Sequence, residues 1–151
     1  MPRLLIVHHT PSPGMHTMLE AVLDGTKAEG IEGVEVVTRA ALSATASDVL
    51  AADGLILGTP ANLGTMSGAL KHFFDTIYYP CLTETVGRPY GVYVHGNNDV
   101  DGALADIAKI ATGLQWRLAQ QPVRVFDRPG RPDLDACWEV GAAMAAGLMA
   151  I

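Results

Sequence analysis

The chain has 151 residues, 49% of them hydrophobic and only 6% aromatic, with a formal net charge of −6 and a pI near 5.2. That length fits one domain, residues 1–151, with an aliphatic core. The acidic balance argues against nonspecific nucleic-acid binding and a basic membrane-surface role, and two cysteines, Cys81 and Cys137, are too few for a disulfide framework or a four-ligand zinc site. Leu4 to Val7 is a short continuous apolar run, as a buried parallel strand shows. Met15 to Glu29 follows as a helix, with Met18, Leu19, Val22 and Leu23 at helical spacing. Val34 to Val37 reads as a second strand, Ser43 to Ala52 as a short helix and Gly54 to Leu57 as a third strand. Met66 to Tyr79 is a helix that places Leu70, Phe73, Phe74 and Ile77 on one face. Pro80 to Pro89 reads as a loop and Tyr90 to His95 as a fourth strand. Val100 to Leu118 is a helix with Leu104, Ile107, Ala108 and Ala111 inward, Pro122 to Phe126 a fifth strand, and Leu134 to Ile151 a last helix. Alternating strands and helices imply a parallel sheet covered on both faces. Ligands of such sheets sit beyond the carboxyl ends of the strands.

Three strand ends carry loops with chemistry in them. In Thr10-Pro11-Ser12-Pro13-Gly14-Met15, Ser12 followed by Pro13 is a good N-cap and first helical residue. The hydroxyls of Thr10 and Ser12, with the N–H groups of Gly14, Met15 and His16, suit a dianionic phosphate on a helix dipole. The second loop, Gly58-Thr59-Pro60-Ala61-Asn62-Leu63-Gly64, opens the helix at Ser67-Gly68 and is small enough for bare backbone to wrap a flat ligand. The third, His95-Gly96-Asn97-Asn98-Asp99, has turn chemistry and offers both donors and acceptors to the edge of a heterocycle.

These segments resemble the flavodoxin-like superfamily, on the side of the NAD(P)H-dependent FMN reductases and quinone reductases. The first loop is similar to that superfamily's hydroxyl-rich phosphate loop: Thr10 and Ser12 match, whereas Pro13 replaces the usual Gly and Met15 the usual Thr, removing one N–H and one hydroxyl. Gly58 to Lys71 is similar to the signature Gly-Ser/Thr-Pro-x-Tyr/His-x-Gly-x-x-Ser-Gly-x-Leu-Lys and is the specific match. The third loop matches by position. The resemblance implies a doubly wound five-stranded parallel α/β sheet of order 2-1-3-4-5, with FMN as cofactor. It places the phosphate on Thr10, Ser12, Pro13, Gly14, Met15 and His16. The ring falls against Pro60, Ala61, Asn62, Leu63 and Gly64 on one side and His95, Gly96 and Asn97 on the other.

With FMN bound, no side chain need act as acid or base; His95 is a candidate proton donor beside the ring, and strand-end filling is the plainer role for it. Asn62 and Leu63 stand where one-electron carriers present aromatics, leaving room for NAD(P)H and an acceptor such as a quinone or flavin. The alternatives are a one-electron-carrier flavodoxin and a flavin-free regulatory or scaffold module. His8, His9 and His16 do not make a metal site, because successive strand residues face opposite ways. Cysteine usage and the absence of a signal peptide or membrane-length apolar run point to a cytoplasmic protein. A homodimer or homotetramer completing the ring pocket is implied by the resemblance, with Phe73, Phe74, Tyr78 and Tyr79 as surface candidates.

Overall fold

A computed structural model describes residues 1–151. Its elements, in chain order, are β1 (Arg3–His8), α1 (Pro13–Thr26), β2 (Glu35–Ala40), α2 (Ala46–Leu50), β3 (Gly54–Asn62) and β4 (Thr65–Met66). They continue with α3 (Gly68–Ile77), β5 (Pro89–Gly96), α4 (Val100–Gly113), β6 (Arg117–Leu118), β7 (Val123–Phe126) and α5 (Arg131–Leu148). The sheet runs β2-β1-β3-β5, with β6 and β7 both paired in parallel to the far side of β5. This is the expected 2-1-3-4-5 order, with the last strand broken in two.

Both faces of the sheet are buried, and period-two alternation sorts the strand residues between them. Leu5 and Val7 of β1, Leu55 and Leu57 of β3, and Val92 and Val94 of β5 join one core with α2, α3 and α4. Leu4, Ile6, Ile56 and Tyr93 join the other, against α1 and α5. No helix is long and apolar enough to cross a membrane.

The helices on the second face approach closely because glycines allow it. A Cβ on Gly25 would meet the Trp138 carbonyl oxygen at 2.0 Å, and one on Gly141 would meet that of Val22 at 2.0 Å. Each helix thus sets its backbone into the other, and this contact fixes α1 relative to α5.

The structure departs from the sequence reading in particular places. The stretch after Leu57 is not a loop: β3 continues to Asn62 and turns back through Leu63 and Gly64 into β4. Arg117–Leu118, assigned above to the end of a helix, is strand; α4 stops at Gly113, and Gln115 turns the chain at φ 58°. Along α4 the buried residues are Val100, Ala103, Ile107 and Ala111, while Ala108 is exposed and Leu104 half-buried. Helix α1 begins two residues before Met15 and ends at Thr26, and α5 begins at Arg131.

Candidate functional site

The carboxyl ends of β1, β3, β5 and β7 lie at one edge of the sheet, and what each strand does after its last hydrogen bond builds the site. After β1, Ser12 caps α1: its Oγ accepts from the Met15 N–H at 3.3 Å, and its carbonyl accepts from the His16 N–H at 3.0 Å. Pro13 has no N–H, so the first turn leaves one amide, that of Gly14, without an intrahelical partner. Met15 is fully buried in the core. His16 is exposed and pairs with Glu20. Thr10 Oγ lies 2.7 Å from His8 Nδ1, and the Thr17 hydroxyl donates to the Pro13 carbonyl at 2.9 Å. Burial first, and neighbouring His9 second, hold the His8 imidazole below its usual 6.5.

After β3, Leu63 at φ 52° and Gly64 at φ 78° form the two-residue turn of the β3–β4 hairpin. Two consecutive left-handed residues are what a right-twisted hairpin of this length requires. The Thr59 hydroxyl anchors the hairpin's return, accepting from the Ser67 N–H at 3.1 Å, and Ser67 in turn caps α3 through the Leu70 N–H at 3.2 Å. Leu63 projects fully into solvent, Asn62 is exposed, and Pro60 is buried. Gly58 lies under Tyr93, where a Cβ would stand 2.0 Å from Cζ. Burial pushes the Tyr93 phenol far above its usual range.

After β5, the third loop meets the second. A Cβ on Gly96 would stand 3.0 Å from that of Ala61, and one on Gly64 would stand 2.7 Å from the Asp99 carboxylate. Asp99, itself left-handed at φ 43°, caps α4 through the Gly102 N–H at 3.1 Å. His95 points the other way. Its Nε2 bonds the Asp127 carbonyl, which can only accept, so Nε2 carries the proton and Nδ1 is the free nitrogen. The imidazole also closes on the first loop, because a Cβ on Gly14 would lie 3.2 Å from His95 Cε1.

Two cavities result. The larger, about 740 Å³, takes Ser12, Pro13, Gly14 and Thr17 on one side and His95 and Asn97 on the other. Its remaining wall is the turn after β7, Asp127 to Pro129, with Leu134 of α5. The second, about 570 Å³, lies beyond the hairpin and takes Asn62, Leu63, Thr65 and Met66 with residues of α3 and α4. The structure therefore brings the first and third loops into one cavity and the second loop against the third. The tip of the second loop lines the neighbouring hollow instead. Thr10, Met15, His16, Pro60, Ala61, Gly64 and Gly96 are not in the wall of the larger cavity. Neither cavity has a Phe, Tyr or Trp in its wall.

The turn Asp127-Arg128-Pro129 was missed from the sequence, although Asp, Pro and Gly130 directly after a strand are turn chemistry. Asp127 takes φ 57°, its N–H donates to the Gly96 carbonyl at 3.2 Å, and Arg128 forms no ion pair with any carboxylate. Both cysteines are buried and free. Burial raises the Cys81 thiol, and burial with nearby Asp133 pushes Cys137 up to about 12, so neither offers a thiolate. Of the aromatic residues named for a subunit interface, Phe73 and Phe74 are buried, Tyr78 half-buried and Tyr79 exposed.

A family model described as NADPH-dependent FMN reductase matches residues 8–127. The chain is similar to a flavodoxin of Aquifex aeolicus, 39% identical over 88 residues, which cover 58% of this chain and 46% of that protein. It thus spans about half the length of that curated relative. Among solved structures it resembles a flavodoxin, WrbA-like protein from Agrobacterium tumefaciens, with a TM-score of 0.80, 20% identity and 99% of each chain covered. It also resembles a flavodoxin from the domain Archaea, with a TM-score of 0.82, 17% identity, and 97% of this chain and 99% of that one covered. At these identities the two structures establish the shared fold alone.

Proposed function

The chain belongs to the NADPH-dependent FMN reductase family, and from that membership we propose an FMN-dependent oxidoreductase that passes electrons from NADPH or NADH to a quinone, a flavin or a similar small acceptor. The donor set of the larger cavity fits the group. A free Gly14 amide on a helix N-terminus and the Ser12 hydroxyl, which accepts from Met15 and keeps its own proton to donate, suit a phosphate, and the Asn97 amide suits a heterocycle edge. In this reading Ser12 and Gly14 hold the phosphate end, while Thr10, turned to His8 Nδ1, stands outside the wall. Because the Met15 and His16 amides are already bonded to Ser12, the cradle is narrower than six consecutive residues. His95 and Asn97, which line the cavity, hold one side of the ring; Pro60 to Gly64, which lie beside the cavity and not in its wall, close over the other side.

Bound FMN supplies the hydride and electron chemistry. The protein binds, orients and leaves access. His95 Nε2–H is committed to the Asp127 carbonyl, so proton delivery from this residue runs through Nδ1 and needs the imidazolium; in the neutral form His95 positions the two turns beside it. The observation that carries reductase over carrier is that no Phe, Tyr or Trp stands in either cavity wall, the imidazole of His95 being turned to the Asp127 carbonyl. A ring face with no aromatic cover is open to stacking by a nicotinamide or a quinone. The similarity to the Aquifex aeolicus flavodoxin favours the second reading, a one-electron carrier.

An anaerobic titration of the FMN-loaded protein with NADPH and NADH, followed by flavin absorbance, separates the two. Bleaching without a partner reductase supports the reductase; a spectrum that changes only when a partner reductase is added supports the carrier.

A further inference from the structure

The turn after β7 is tied to the phosphate end of the larger cavity by three contacts, two from β5 and one from α1. His95 Nε2–H donates to the Asp127 carbonyl, the Asp127 N–H donates to the Gly96 carbonyl, and Pro129 lies against the first turn of α1, where a Cβ on Gly14 would stand 3.3 Å from its Cδ. These contacts place Arg128 in the wall that Ser12, Gly14 and Thr17 also line. Six ion pairs form elsewhere on the molecule, and Arg128 is in none of them. It is the one basic side chain lining this cavity, apart from the imidazole of His95.

The first loop is short of donors for a dianion. Pro13 contributes no N–H, the Met15 amide is bonded to Ser12, and the Met15 side chain is buried. A guanidinium can supply two parallel N–H donors and a charge to phosphate oxygens in one contact. We propose that Arg128 is the counter-charge of the FMN phosphate, taking over from the helix N-terminus the donors that Pro13 and Met15 remove. This rests on the FMN reading above and adds a fourth loop to the binding site. Asp127 lines the same cavity, and its carboxylate opposes the phosphate; the pair sets a sign that single substitutions can separate.

The test compares Arg128→Gln and Asp127→Asn with the unaltered protein, titrating each with FMN and with riboflavin by fluorescence quenching at low and high salt. A charged hydrogen-bond contact of ordinary strength corresponds to about 10- to 100-fold in affinity. Arg128→Gln should weaken FMN by that amount, leave riboflavin within about threefold, and flatten the salt dependence of FMN binding. Asp127→Asn should tighten FMN and not riboflavin. Arg128→Lys should recover part of the loss. Equal FMN affinity in Arg128→Gln and the unaltered protein, or equal losses for FMN and riboflavin, overturns the assignment of Arg128 while leaving the FMN reading intact. Failure of the unaltered protein to bind either flavin overturns both.

Discussion

Tyr93→Phe should stabilise this protein, which is the opposite of what removing a buried tyrosine hydroxyl does where that hydroxyl is bonded. Tyr93 is completely buried, and its hydroxyl has no hydrogen-bond partner. It sits in the apolar core between β5, α1 and α5, with its ring lying across Gly58. Leaving a buried hydroxyl unpaired costs about 1–3 kcal/mol relative to its hydrated state in the unfolded chain. Phe keeps the ring and every ring contact and removes only the oxygen. The expected gain is therefore roughly 1–2 kcal/mol, or about 4 °C in midpoint for a domain of this size. The phenol is pushed far above its usual 10.0 by burial, so the gain should stay flat between about pH 6 and 9, where neither state ionises. Urea and thermal unfolding of both proteins, followed by circular dichroism, measure it. A loss of stability of about 1 kcal/mol or more would refute the reasoning, because it requires a partner for the hydroxyl.

Gly141→Ala drives a methyl group into the Val22 carbonyl and should cost about 3 kcal/mol in a urea titration, the upper end of overpacking because backbone yields least; a cost under about 0.5 kcal/mol would mean that α1 and α5 do not touch there. Ser12→Ala should lose about 1 kcal/mol of stability with the cap, and it should weaken FMN more than riboflavin; equal weakening of both flavins would place the phosphate elsewhere. Because the His8 imidazole is held below 6.5 in the folded protein, the unfolded chain binds more protons just below that pH. Stability from this residue is thus present above about pH 6.5 and falls as pH drops through the folded value. His8→Asn should flatten the stability–pH curve below 6.5 in unfolding experiments, and an unchanged slope would remove His8 as a cause.

The parts of the fold set by periodicity were legible. Continuous apolar runs such as Leu4 to Val7 announced strands buried on both faces, and the face Leu70, Phe73, Phe74 and Ile77 of α3 is the one that is buried. Ser12-Pro13 announced the start of α1. What the sequence hid were features decided by single backbone angles. The hairpin at Leu63-Gly64 lacks the Asn or Asp usually found at its first position, so the segment reads as a plain loop. The α4 boundary is set by one left-handed residue, Gln115, inside a pattern that continues apolar to Leu118. Of the candidate site, the first and third loops were visible as turn chemistry and do share a cavity. The Asp127–Pro129 wall was not, because its place depends on a tertiary contact, His95 to the Asp127 carbonyl, that no local pattern encodes.

The division of the outermost strand into Arg117–Leu118 and Val123–Phe126 bears on how this molecule behaves in a crowd. A sheet ends in unpaired amides and carbonyls, and a long straight margin of them is a template on which another chain can lengthen the ladder. Here that margin is cut by four residues, Ala119 to Pro122, and its longer piece carries Arg124, paired with Asp101 of α4 at 2.8 Å. The interruption limits the continuous run open to a further strand to the four residues Val123–Phe126, so growth of the ladder from this side is discouraged by geometry.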